Sequence, residues 1–79
     1  MTTKETAQYQ VLNVMAGAGF PPGSFNRAII DAAMRADSKN TELLRLGFPE
    51  LVGAVRAWQA GENKEEYPII TDFINRKSK

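Results

Sequence analysis

The segment that most constrains this chain is Leu43-Leu44-Arg45-Leu46-Gly47-Phe48-Pro49-Glu50-Leu51-Val52-Gly53-Ala54-Val55-Arg56-Ala57-Trp58. It sets a Gly-Phe-Pro break between two apolar patterns of helical period. Glycine accepts the backbone geometry with which helices end. Proline suits the first position of the next helix, where its missing N–H would have no partner anyway. One kinked helix over residues 41–60 is the alternative, but Gly47 and Pro49 acting together favour two helices. The segment reads as the hydrophobic centre of a small helical domain, and nothing in it reads as reaction chemistry.

Similar punctuation runs along the rest of the chain. Thr2 and Glu5 fit a capping box. They open a helix predicted over 3–16 that carries Ala7, Val11, Val14 and Met15 at helical spacing, with Ala18 beyond it. Gly17 and Gly19 stop it. Phe20-Pro21-Pro22-Gly23 is held extended by its prolines and reads as a rigid loop with Phe20 tucked inward. Ser24 is the expected N-cap of a second helix over 25–36. Its apolar stripe is Phe25, Ala28, Ile29, Ala32, Ala33 and Ala36, with Ile30 and Met34 on a flank, opposite Arg27, Asp31 and Arg35. Asp37-Ser38-Lys39-Asn40 starts a third helix carrying Leu43, Leu44 and Leu46, and a fourth runs over 49–60 to Gly61. Residues 62–66 form an acidic linker, a last helix covers 67–75 with Pro68 at its start, and 76–79 are expected to fray.

The expected fold is therefore all-α: one domain, 1–79, built as a compact bundle of four to five short helices with no sheet. The expected core is Val11, Met15, Phe25, Ile29, Ala33, Leu43, Leu46, Phe48, Val52, Val55, Trp58, Ile70 and Phe73.

Composition narrows the chemistry. The 79 residues contain no cysteine and no histidine. Disulfides, thiolate nucleophiles and cysteine-based zinc sites are excluded, and so are the commonest general base and the commonest transition-metal ligand. The mid-chain carboxylates Asp31, Asp37, Glu42 and Glu50 show no spacing that singles out an acid–base pair. Residues 17–23 hold three glycines but no Lys-Ser/Thr after them, so no phosphate-binding loop follows. No catalytic, metal or cofactor site is expected, and an enzyme is the least favoured class. The net charge of +1 mixes signs along each helix, and the one basic cluster is Arg76, Lys77 and Lys79. There is no basic stripe for nucleic acid and no apolar run near the ~20 residues of a membrane span. The polar N-terminus lacks the pattern of a signal peptide, and cytoplasmic residence is the expectation.

Few residues stand out as candidates for function. Trp58 suits an interface anchor, but it shares a stripe with Leu51 and Val55 and reads first as core. Gly53 and Ala57 would let a second backbone approach closely, in a dimer seam or in an internal helix crossing, and the crossing is preferred. Tyr67, Ile69 and Ile74 would be the contact residues if the terminal helix kept a second apolar edge. A homodimer is one partner the chain admits, because a domain this small buries only about 60% of its unfolded surface.

The residues Ser24-Phe25-Asn26-Arg27-Ala28-Ile29-Ile30, then Ala36-Asp37, Asn40, Leu43 and Phe48-Pro49-Glu50-Leu51-Val52, form a recognisable set. It resembles small proteins of bacteriophages and mobile elements, in which a helix ending in Ala-Asp is followed by Asn, a leucine and Phe-Pro-Glu. The resemblance covers residues 24–58 and implies a phage or mobile-element setting, with no activity or site attached. The expected function is a non-enzymatic protein-interaction module that binds a host or phage protein or associates with itself. The alternative is a small DNA-binding regulator of helix-turn-helix type using Arg27, Arg35, Arg45 and the basic C-terminus. Its recognition helix would be short and apolar.

Overall fold

Helices fill most of the described chain, separated by glycines, prolines and the Asp37 cap. The computed structural model describes residues 2–61 and 65–77. They form α1 (Lys4–Ala16), α2 (Ser24–Arg35), α3 (Ser38–Gly47), α4 (Pro49–Ala60) and α5 (Pro68–Lys77), with no strand among them.

The helix ends follow local hydrogen bonding. Thr3 caps α1, its Oγ1 accepting from the Thr6 N–H at 3.1 Å. The cap thus falls one residue later than Thr2, which instead accepts from Asn26 Nδ2 at 3.1 Å. Gly23 rather than Ser24 is the N-cap of α2, and no side chain bonds to its first turn. Asp37 Oδ1 accepts from the Asn40 N–H at 2.8 Å and starts α3. Phe48 closes α3 and opens α4 at once, with φ −136° and ψ 60°. The Gly47-Phe48-Pro49 corner is therefore a single residue wide. Gly17 and Gly61 end α1 and α4 with φ of 74° and 87°, which a residue bearing a side chain adopts only under strain. The last helix continues to Lys77, past the expected end at 75. Of the acidic linker, Glu65 and Glu66 lie exposed in a turn, while 62–64 fall outside the described residues, as do 78–79.

Helix α4 is the axis of the fold and packs against all four of the other helices. It buries Leu51, Val52, Ala54, Val55 and Ala57. Around it stand Ala7, Val11 and Leu12 of α1, Ile30 and Ala33 of α2, Ile70 of α5 and Tyr67 just before it. Of the expected core, Val11, Ala33, Val52, Val55 and Ile70 are buried. Met15, Ile29, Phe48, Trp58 and Phe73 pack against them partly buried.

Three expected core residues lie outside. Phe25, Leu43 and Leu46 are 63%, 58% and 84% exposed. The cause is helix phase. The buried side of α2 runs through Ile30 and Ala33, rotated away from Phe25. Helix α3 sets Thr41, with Leu44, toward the bundle, and so turns Leu43 and Leu46 outward. Phe20 is also exposed, its ring lying 5.4 Å from that of Tyr9 rather than in the core.

One buried polar side chain ties the ends together. Gln8 Oε1 accepts from the N–H groups of Ile69 at 2.9 Å and Ile70 at 3.2 Å. These belong to the unpaired N–H groups of the first turn of α5, so a side chain of α1 caps α5 across the fold.

Candidate protein interface

The outward side of α2 and α3 is the largest concentration of exposed apolar side chains. It arises because both helices carry apolar residues on two sides, and α4 can cover only one. On α2 the second side begins at Phe25 and continues through Ala28 and Ala32, all exposed. On α3 it is Leu43 and Leu46. Phe48 joins the two, half-buried at the corner, its ring centroid 5.6 Å from that of Phe25. Two shallow clefts meet at Phe48. One runs between Ala32 and Ala36 of the α2 side and Asn40, Leu43 and Leu44 of α3, with Arg35 on its rim. The other lies beneath Phe25, Asn26 and Pro49 and is bounded by Glu50 and the start of α1. The face thus carries a cation at the rim of one cleft and hydrocarbon around Phe48.

The charges around it are unevenly matched. Arg27 pairs with Asp31 at 3.5 Å and Arg45 with Glu42 at 3.7 Å, both on exposed positions where such pairs contribute about 0–1 kcal/mol. Arg35 and Lys39 have no ion pair among the described residues. Two of the three arginines expected to serve a nucleic acid are therefore already beside carboxylates, and the exposed side of α3 sets Leu43 and Leu46 among Lys39, Glu42 and Arg45.

No family model, curated protein or solved structure matches this chain. What the face can do is therefore read from its own geometry.

The residues singled out from the sequence are placed elsewhere. Tyr67 is buried, 5% exposed, with its hydroxyl oxygen where a Cβ on Gly53 would stand. Gly53 thus admits a tyrosine from the turn before α5, which is an internal contact but a side chain rather than a helix backbone. The hydroxyl lies 3.5 Å from Glu50 Oε1. Burial, and then the carboxylates of Glu50 and Glu66, hold the Tyr67 phenol above its ordinary pKa of 10.0. Ile69 and Ile74 are half-buried against the core, and Trp58 packs there with its ring 6.3 Å from Phe73. Tyr67 is therefore not part of an exposed edge, while Ile69, Ile74 and Trp58 each keep partial exposure. Among the described residues no cluster of carboxylates could hold a metal ion, and no helix is long and apolar enough to cross a membrane.

Reading the sequence missed Phe25, Leu43 and Leu46 as surface residues. The signal was present in the width of the stripe. Seven apolar positions between Phe25 and Met34 on a helix of 12 residues, with Ala36 just beyond it, are more than one neighbouring helix can cover.

Proposed function

We propose that this protein is a non-enzymatic interaction module that binds another protein through the α2–α3 face. The observation that carries the reading is the exposure of Phe25, Leu43 and Leu46, at 63%, 58% and 84%, on one side of two adjacent helices. Single exposed leucines are ordinary, whereas a contiguous apolar patch rimmed by polar groups marks an interaction site. Aromatic side chains with arginine at the rim are the composition that interfaces favour. The resemblance of residues 24–58 to small bacteriophage and mobile-element proteins supports such a setting. The groove-lining residues Phe25, Asn40, Leu43 and Phe48-Pro49-Glu50 are among those that carry that resemblance.

The test compares the wild-type chain with a Leu43→Asp/Leu46→Asp variant as immobilised baits. The reading expects a protein, either a second copy or another chain, held by the wild type and lost from the variant. Wild-type protein that holds nothing and is a monomer by light scattering would contradict it. So would a partner held equally by both.

A further inference from the structure

We infer that the α2–α3 face receives an amphipathic helix of another protein, one that carries a carboxylate beside a bulky apolar side chain; this rests on reading that face as a docking surface. The cleft between α2 and α3 has a volume of about 500 Å³. Ala32 and Ala36 wall it on one side, and Leu43, Leu44 and Phe48 on the other. The two alanines leave the room that a leucine or an aromatic ring would take. The larger side chains opposite supply the dispersion contacts.

Charge fixes the rest of the partner. Among the described residues that line the cleft, Arg35 alone is charged. The carboxylates of α2 and α3 are committed elsewhere. Asp31 pairs with Arg27, Glu42 with Arg45, and Asp37 caps α3 through the Asn40 N–H. Arg35 and Lys39, on either side of the α2–α3 turn, have no ion pair among the described residues. Asn40 adds an amide at the cleft whose side chain makes no hydrogen bond among the described residues. A guanidinium at the edge of an apolar cleft matches a planar carboxylate through two parallel N–H donors. A basic group in the same place would be repelled.

The helical form of the partner follows from the fold. Peptides are taken up as added strands, as polyproline segments or as helices laid in a groove. No strand among the described residues offers an edge. Polyproline segments need a groove lined by aromatic rings, and Phe48 is the single ring at this cleft. A helix in the groove is the mode that fits. Its apolar anchor and its carboxylate then stand three or four positions apart, on one side of that helix.

The experiment selects from a displayed library of random peptides of about 15 residues, roughly four helical turns, on the immobilised full chain. Enriched peptides are expected to place Asp or Glu three or four positions from Leu, Ile, Phe or Trp, and to turn helical on binding. One enriched peptide is then titrated by fluorescence anisotropy. Arg35→Glu is expected to weaken it about tenfold, since repulsion replaces attraction. Exchanging the acid of the peptide for Lys is expected to recover that loss on the same variant. Ala32→Trp fills the cleft from an exposed position and is expected to abolish binding with helical circular dichroism unchanged. Enriched peptides without an acidic residue, or binding indifferent to Arg35→Glu, overturn the acidic helix. If that same binding is lost from Leu43→Asp/Leu46→Asp, the docking face itself stands. No enrichment also overturns the inference. So does a wild type that pairs with itself through this face and excludes the peptide, which would make the occupant a second copy.

Discussion

The Tyr67 hydroxyl occupies the space in which a side chain on Gly53 would begin. The ring it belongs to is buried and must shift to admit that side chain. Gly53→Ala gains helix propensity of about 1 kcal/mol, yet forces Tyr67 out of its seat, an overpacking cost of roughly 1–3 kcal/mol. Net destabilisation of up to about 2 kcal/mol is expected in urea unfolding, and Tyr67→Leu in the same chain should cost less than the sum of the two single changes.

The same tyrosine predicts an alkaline limit. Its pKa is raised in the folded state above 10.0, so the folded chain holds this proton more tightly than the unfolded chain. That contribution is fully present below pH 10.0 and is lost as pH rises through the folded value. Thermal melts of wild type and Tyr67→Phe should therefore converge above pH 10.0, the wild type losing stability faster. Curves that stay parallel from pH 8 to 11 would show that Tyr67 titrates normally.

Gln8 holds the last helix to the first. Removing its side chain leaves the N–H groups of Ile69 and Ile70 without their acceptor, and the bond to Ile70 is buried. Gln8→Ala is expected to destabilise by about 1–3 kcal/mol. Amide exchange in α5 should quicken more than in α4, which locates the loss.

Two leucines on either side of the Gly47-Phe48-Pro49 corner should behave oppositely. Leu51 is 2% exposed and Leu46 is 84% exposed. Leu51→Ala is expected to cost about 2–5 kcal/mol. In dilute monomer, Leu46→Ala should stay within about ±0.5 kcal/mol. Equal losses at both sites would place Leu46 in the core.

Helix identities were legible in the sequence because Gly17, Gly47, Pro49, Gly61 and Pro68 act locally, and each stands at or beside a helix end. Caps slipped by one residue, to Thr3, whose hydroxyl takes the Thr6 N–H, and to Gly23, where no side chain caps the first turn. The phase of α2 and α3 was not legible. Local periodicity shows that Phe25, Leu43 and Leu46 are apolar and suitably spaced, but which side of a helix meets α4 depends on where the corner at Phe48 points it. Gln8 was missed for the related reason that its partners lie 61 and 62 residues away. The face was thus visible as apolar residues and invisible as a surface.

The most direct test of the α2–α3 face is the change in backbone amide chemical shifts of the wild-type chain across a dilution series, alone and with the enriched peptide added. Occupation of this face by the peptide predicts shifts at Phe25, Ala32, Leu43, Leu46 and Phe48, with α1 and α5 unmoved. Shifts centred on Tyr67, Ile69 and Ile74 would contradict it, whereas no shift at any concentration of the chain alone would leave the face to a protein of another sequence.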